Sequence, residues 1–495
     1  MTLAAVPLPA GFAPYQWTPA YPPETLRFDQ NVPPLPGVPQ VPLAESFARL
    51  NEYPDGSYRE LREAAAAYAG VAPEQIVVGA GADDLILLVA RTFLAPGRIA
   101  EVHEPTYSLY AVATRLAGAE VTGEDGDLVW LCNPNNPSGE LIPPQEVAAL
   151  ARSRPNALVV VDEAYVEYAP EGSVVPLLEP NLVVIRTLSK AFGLAALRVG
   201  YAVAAPEVAA ELERRRAPAP VAAPAARIAA AALREPRLDV AQTVAERERV
   251  REALLAAGYD CPASHGNFLF VRAPFEADGI VVRRFADGFR LTIRLPAEND
   301  RLLAALGVEP EPSPRRTALV VRTTTETALR ISLDLDGVGR ARVATGIGLL
   351  DHLLGAFAFH GGLDLDLLAS GDLDVDTHHT TEDVLAALGD ALAQALGDRA
   401  GITRYGSADV PMDEALARAT IDLVQRPHAE VAIAPAGTVL PHALERFAMQ
   451  ARLTLHLEAA GVDEHHTAEA AFKALGRALR VAVAPGDSGS TKGAM

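Results

Sequence analysis

The sequence predicts an α/β first half with a mostly parallel sheet, joined to a second domain built on an internal duplication. Between residues 75 and 205, short apolar runs (IVVGAG, DLVWLCN, ALVVVDEA, LVVIRTL) alternate with helical segments (DDLILLVARTFL, PQEVAALARS), the pattern of successive strand–helix units. Further on, HHTTEDVLAALGDAL (378–392) and HHTAEAAFKALGRAL (465–479) align without gaps and agree at nine of fifteen positions, including both histidines, the glutamate and Gly389/Gly476. Between these regions the proline-rich stretch GVEPEPSPRR, residues 307–316, follows an apparent helix, AENDRLLAALG, and marks a domain boundary.

Composition narrows the function classes. A chain of 495 residues exceeds a single core, and 49% hydrophobic with 21% charged residues is ordinary globular usage, which excludes wholesale disorder and fibrous structure. Lys+Arg 43 against Asp+Glu 63 leaves a net charge of −20, which argues against nucleic acid or an anionic membrane as partner; anionic substrates then require local basic pockets. Cys132 and Cys261 offer no disulfide framework and fit a reducing cytosol. The start, MTLAAVPLPAGFAPYQW, lacks a basic segment before its prolines, and no uncharged apolar run reaches membrane-spanning length, so a soluble cytoplasmic protein is expected.

Taken in order, the first-half elements deliver reactive groups to strand ends. GAGADDLI leads from a strand into a helix and offers free backbone N–H groups to an anion. VVVDEAY ends a buried strand on Asp162, an ionised carboxylate that needs a cation to offset desolvation; a protonated pyridine nitrogen is one such cation. Tyr165, three residues on, and Asn136 in NPNNPSG are placed to hydrogen-bond an oxygen of the same ring. In RTLSKAFGLAALRVGY a strand delivers Ser189, Lys190 and Arg198 into a glycine-containing turn, where a lysine of depressed pKa forms a Schiff base and the hydroxyl and guanidinium hold a phosphate. Each segment alone also reads as a cap, a turn or an exposed strand end. A softer break at RRRAPAPVAAPAA, residues 214–226, divides the half into a large part, about 40–215, and a small part, about 216–308 plus the N-terminal arm.

Together and in this order, NEYPDG, GAGADDLI, EPTYSLY, NPNNPSG, VVVDEAYVEYA, RTLSKAFGLAALRVGY and NFLFVR resemble the fold-type I aminotransferases that use pyridoxal 5'-phosphate, most closely histidinol-phosphate aminotransferases, over roughly residues 10–308. The resemblance implies Lys190 as the amine that takes the cofactor's aldehyde and moves the proton, Asp162 as the pyridinium partner, and Tyr165 and Asn136 at the ring oxygen. It further implies Tyr107 stacked on the ring, Ala82, Asp83, Ser189 and Arg198 around the phosphate, and Tyr53 contributed across a dimer. Arg283 and Arg290, with Tyr15 near by, are the expected substrate-anion contacts. Arg294 stands where the family usually has glycine, and Asp29, Gln30 and Asn31 replace an NEN-like triplet.

The second half has separate chemistry, because nine of the eleven histidines lie between His352 and His466. Each HHxxE opens a helix with one apolar face, and adjacent helical residues point ~100° apart, so each histidine pair divides between two metal ions. His352 and His456, ahead of the respective copies, are expected to complete the shells, and imidazole with carboxylate suits Mn, Fe, Ni or Zn. Residues 315–495, through RRTALVVRTTTETALRISLDLDGVG, TGIGLLDHLL, RAGITRYG and STKGAM, resemble imidazoleglycerol-phosphate dehydratase. That implies an α+β domain with a pseudo-repeat and two Mn²⁺ per site. The metal positions are His352, His378, His379, Glu382, His456, His465, His466 and Glu469; Glu382 and Glu469 also count as catalytic. Arg404, Arg426, Ser490 and Lys492 are implied around the phosphate and Glu326 near the substrate, whereas His360, His428 and His442 have no matching position. The domains expected are therefore 1–308 and 317–495 with a linker at 309–316, performing consecutive steps on phosphorylated imidazoles with glutamate. Homo-oligomers are expected, dimeric for the aminotransferase and of higher order for the dehydratase. Other readings are an aromatic aminotransferase or phosphothreonine decarboxylase in the first half, or a non-catalytic metal module in the second.

Overall fold

The computed structural model describes residues 21–36, 51–236, 238–435, 437 and 439–486. Two compact units form: among the described residues the first takes Phe28–Phe275 and Val282–Ile293, and the second takes residues 21–27, Glu276–Val281 and the chain from Arg294 on. In chain order the elements begin with β1 (Leu26–Arg27), α1 (Arg59–Ala69), β2 (Ile76–Gly79), α2 (Gly81–Phe93), β3 (Ile99–Val102), α3 (Leu109–Leu116), β4 (Glu120–Thr122) and β5 (Leu128–Cys132). They continue with α4 (Pro144–Ser153), β6 (Leu158–Asp162), β7 (Leu182–Thr187), β8 (Gly200–Ala204), α5 (Pro206–Arg215), α6 (Ala223–Arg234) and α7 (Val240–Ala256).

In the first unit a seven-stranded sheet runs β2-β8-β7-β6-β5-β3-β4. Strands β7, β6, β5, β3 and β4 are parallel, and β8 lies antiparallel to both β7 and β2, so the sheet is mostly parallel, as the strand–helix alternation implies. Every residue of β5 and β7 is buried, because helices cover both faces and the β-branched runs have no solvent side. Alternate residues serve two cores: Val159, Val161 and Val184 on one face, Val160, Val183 and Ile185 on the other. A three-stranded antiparallel sheet, β11 (Arg283–Phe285), β12 (Gly288–Thr292) and β9 (Phe268–Val271), completes the unit, while β1 pairs in parallel with β10 (Ile280–Val281) in the second.

The second unit opens with α8 (Pro296–Ala305) and then repeats one motif: β13 (Thr317–Thr323), β14 (Thr327–Asp334), β15 (Ala341–Ala344), α9 (Gly348–Gly361), β16 (Asp364–Gly371), α10 (His378–Leu396). The second copy is β17 (Tyr405–Met412), β18 (Ala415–Asp422), β19 (His428–Ala434), α11 (Val439–Gln450), β20 (Thr454–Ala460), α12 (Glu464–Ala482). Their sheets have matching orders, β13-β14-β16-β15 and β17-β18-β20-β19, and both copies feed one hydrophobic core. The helices exchange partners between copies: α9 packs on α12, and α10 on α11. Close approach at the crossings needs glycine: a Cβ on Gly476 would fall 2.5 Å from the Phe357 carbonyl oxygen, and one on Gly389 2.4 Å from that of Phe447.

The compact units do not divide at the expected 308/317 boundary. Helix α8 and the strand at 26–27 group with the duplicated motif, because Arg294 and Glu298 join its buried charges. No helix among the described residues is long and apolar enough to cross a membrane, and both cysteines are free and buried.

Candidate functional site

The carboxyl ends of the parallel strands in the first unit open onto a cavity of about 450 Å³, the usual place for a ligand in an open α/β sheet. Its lining brings together Ala82, Asp83, Tyr107, Asn136, Asp162, Tyr165, Ser189, Lys190, Arg198, Arg283 and Arg290. Asp162 is the last residue of β6; its Oδ1 accepts from the Ala164 amide at 3.1 Å and its Oδ2 from the Tyr110 hydroxyl at 2.8 Å. Burial nevertheless pushes this carboxyl up to about 6. Lys190, just beyond β7, donates from Nζ to the Gln30 carbonyl at 3.1 Å and stands 5.7 Å from the centre of the Tyr165 ring. Burial, reinforced by the Arg290 charge, pulls its amine down to about 8, which frees a nucleophilic lone pair near neutral pH.

Around the start of α2 the cavity becomes cationic. Arg198, held in the left-handed region at φ 53, places its guanidinium 3.0 Å from Asp83 Oδ2, and Tyr107 donates to Asp83 Oδ1 at 3.0 Å. Gly81, at φ 83, permits this approach, since a Cβ there would meet the Arg198 guanidinium at 2.9 Å. Ser189 accepts from Thr187 at 2.9 Å on the same rim. On the far side Arg283 and Arg290 are cross-strand partners; Arg290 donates to the Asp29 carbonyl at 2.8 Å and to Asn136 Oδ1. Pyridoxal phosphate fits this donor set. A buried carboxylate under-compensated by its two donors suits a protonated ring nitrogen, and a helix start with an adjacent guanidinium suits a phosphate. Tyr53 is not part of the cavity: it is 95% exposed and lines a separate groove with Asp55, Tyr58 and Arg59. Tyr15 lies outside the described residues.

In the second unit the exchanged helices assemble two clusters, each drawn from both copies. His352 of α9 joins His465 and Glu469 of α12; His442 of α11 joins His378 and Glu382 of α10; in each, one ligand atom per residue lies within 4.8 Å of the others. His352 and His465 stack at 5.3 Å and stand 3.2 and 3.3 Å from Glu469 Oε2. His378 and His442 stack at 5.9 Å, each 3.5 Å from Glu382 Oε2. Burial would raise the Glu469 carboxyl, but the Lys473 ammonium at 2.8 Å and the His352 ring hold it below its ordinary value. Two imidazoles with one carboxylate fit a borderline divalent ion and leave positions open for substrate or further ligands.

Within each HH pair the second ring turns away. His379 meets Asp372 at 3.0 Å and lies 3.9 Å from Glu326; His466 meets Glu414 at 3.0 Å. His456 lies on the face of β20, beside Glu430 at 3.3 Å and outside both clusters, while His442 stands in the second of them. His442 and His352 occupy matching positions on the matching helices α11 and α9, whereas His456 lies on a strand. Arg404, at φ 74, forms a two-point pair with Asp422 at 2.7 and 3.1 Å. The Arg426 carbonyl accepts from Thr454, while Ser490 and Lys492 lie outside the described residues.

The contacts of two residues of the first site escaped sequence reading. Asn31, fully buried, donates to the Tyr165 hydroxyl at 3.1 Å, and Tyr110 holds Asp162. The second tyrosine of EPTYSLY, three residues after the first and so one helical turn on, was the available signal for Tyr110.

Comparison with known proteins agrees with the two-part division. A family model described as aminotransferase class I and II matches residues 24–125 and 122–283, and one described as imidazoleglycerol-phosphate dehydratase matches 345–479. The histidinol-phosphate aminotransferase of Aeromonas hydrophila is 39% identical over 55% of this chain and 90% of its own length. The imidazoleglycerol-phosphate dehydratase of Granulibacter bethesdensis is 51% identical over 36% of this chain and 99% of its own. Among solved structures, the histidinol-phosphate aminotransferase of Sinorhizobium meliloti in complex with pyridoxal-5'-phosphate superposes with a TM-score of 0.51 at 25% identity, covering 57% of this chain and 89% of that one.

Proposed function

Because this chain belongs to the class I and II aminotransferases over residues 24–283 and to the imidazoleglycerol-phosphate dehydratases over 345–479, we propose that it carries out two consecutive steps of histidine biosynthesis. The second half removes water from imidazoleglycerol phosphate, and the resulting enol becomes the ketone imidazole acetol phosphate. The first half exchanges that ketone for the amine of glutamate, giving histidinol phosphate and 2-oxoglutarate. The observation that carries the reading is one chain holding both an amine–carboxylate cavity and two mixed histidine–glutamate clusters. The catalytic modules are residues 1–308 and 317–495, joined by 309–316.

Pyridoxal phosphate, when bound, supplies an aldehyde and an electron sink. Lys190 receives that aldehyde and moves the substrate proton; Asp162 faces the ring nitrogen, and Tyr165 and Asn136 face the ring oxygen. Tyr107 covers the ring, and Ala82, Asp83, Ser189 and Arg198 hold the phosphate. Tyr53 serves the neighbouring subunit of a dimer, and its exposure supports that role. Tyr15, Arg283 and Arg290 bind the substrate's anionic groups.

Divalent ions of the Mn²⁺ type, held by His352, His465 and Glu469 and by His378, Glu382 and His442, supply Lewis acidity for the imidazole ring when bound. His379, His456 and His466, which stand outside the two clusters, complete the shells of ions on adjoining subunits in a higher-order assembly. Arg404, Arg426, Ser490 and Lys492 bind the substrate phosphate and Glu326 lies near its ring. The protein works in the cytosol, where its thiols stay reduced.

Single variants test the division of labour. Lys190→Ala removes the visible cofactor band and histidinol phosphate formation while dehydration continues; Glu469→Gln stops dehydration while the amine exchange continues. Persistence of transamination in Lys190→Ala, or of dehydration in Glu469→Gln, contradicts the assignment.

A further inference from the structure

We propose that Tyr110 is a positioning residue of the aminotransferase site, holding the Asp162 carboxylate ionised and aimed at the cofactor ring from behind the cavity wall. Tyr110 is fully buried and does not line the cavity, yet its hydroxyl lies 2.8 Å from Asp162 Oδ2. Its ring is clamped: it stacks on Trp130 at 5.2 Å with an interplanar angle of 9° and meets Tyr107 edge-on at 5.7 Å. Trp130 is fixed in turn, because its indole N–H donates at 3.2 Å to Thr114 Oγ1, one turn further along the helix that carries Tyr110. The phenol therefore has one position, and that position sets one carboxylate oxygen while the Ala164 amide sets the other.

The protonation states agree with this direction of donation. Burial, then the Asp162 charge, pushes the Tyr110 phenol well above its ordinary value, so it stays a donor throughout the working range. On Asp162, burial is the largest influence and raises the carboxyl; the Tyr110 hydrogen bond is the largest influence opposing it. Without that donor the buried carboxylate binds a proton more tightly and competes with the ring nitrogen for it, and the cofactor loses both affinity and electron-withdrawing power.

The inference rests on Asp162 being the partner of the ring nitrogen, and the test separates the two ideas. Tyr110→Phe retains the ring and its stack on Trp130 while removing the hydroxyl. In the full-length chain, fluorescence titration of the apo form with pyridoxal phosphate should show Kd raised about tenfold, the scale of one hydrogen bond to a charged group. With saturating cofactor, kcat for transamination should fall while KM for the keto substrate stays within twofold. In an Asp162→Asn background, Tyr110→Phe should add nothing to either change, since the carboxylate it serves is gone. If Tyr110→Phe leaves Kd and kcat unchanged while Asp162→Asn weakens cofactor binding, the positioning role is overturned and the reading of Asp162 survives. An effect of Tyr110→Phe that persists in full in the Asp162→Asn background also overturns it, because the tyrosine would then act through packing. If Asp162→Asn itself leaves cofactor affinity intact, both ideas fail.

Discussion

Asp162 sits at the end of β6 as a carboxylate that the folded chain must hold at a cost, and that cost has a definite pH signature. Its folded value, about 6, lies above the ordinary 3.8, so the folded state binds the proton more tightly than the unfolded state. This group's penalty is absent below pH 4, grows between about 4 and 6, and is complete above 6, where the difference amounts to roughly 3 kcal/mol. Apo Asp162→Asn should therefore gain stability relative to the parent across that window and keep the gain at pH 7, while losing cofactor affinity; parallel denaturant titrations at pH 4 and pH 7 read the difference. Metal content discriminates equally well in the second unit. His442→Ala should lose about one of two bound Mn²⁺ equivalents, and His360→Ala should keep both, since only the former ring reaches a cluster. Lys190, Asp162 and the HHxxE histidines were legible in the sequence because each sits in a motif whose chemistry has few other uses. Tyr110, Asn31 and His442 were not, because each acts through a contact between segments far apart in the chain, and a single tyrosine, asparagine or histidine announces no partner.

At the level of elements, the duplicated sheets show the limit of patterning. Strands β14 and β18 occupy matching positions, with Arg330 and Ser332 in the first facing the same way as Arg418 and Thr420 in the second. Both sequences alternate apolar and polar residues, which predicts two half-exposed strands. Only β18 behaves so; β14 is buried at nearly every position because α8 brings Glu298 over its polar face. There Glu298 pairs with Arg294 at 2.8 Å and Arg330 at 3.0 Å, and Asp366 pairs with Arg330 at 2.9 Å, all inside the second unit. Alternation alone does not say which polar face a later helix covers, so this network was invisible until the fold was known. It also sets a contrast in stability. Glu298→Ala leaves two buried guanidiniums short of a partner and should cost about 3–5 kcal/mol, whereas Arg418→Ala breaks only the exposed pair with Asp409 and should cost under ~1 kcal/mol. Urea titration of the two variants side by side measures the difference; equal effects would mean that the buried network contributes no more than a surface pair.

For the molecule as a whole, the division into two chemistries was readable from the histidine distribution and the proline-rich stretch at 307–316. The compact units follow a different line, because α8 precedes the break in sequence yet shares its charges with the duplicated motif. A chain with a net charge of −20 recruits anionic substrates only through local cations, and the cavity of the first unit is lined by Arg198, Arg283 and Arg290. The helix exchange also means that neither copy of the repeat holds a complete cluster alone, so the duplicated half functions as one piece. The most direct test supplies the purified full-length chain, loaded with Mn²⁺ and pyridoxal phosphate, with imidazoleglycerol phosphate and glutamate, and follows the products by mass spectrometry. The expected result is histidinol phosphate and 2-oxoglutarate in equal amounts, with imidazole acetol phosphate accumulating when glutamate is omitted. No ketone under either condition, or ketone that is never aminated when glutamate is present, would contradict the two-step account.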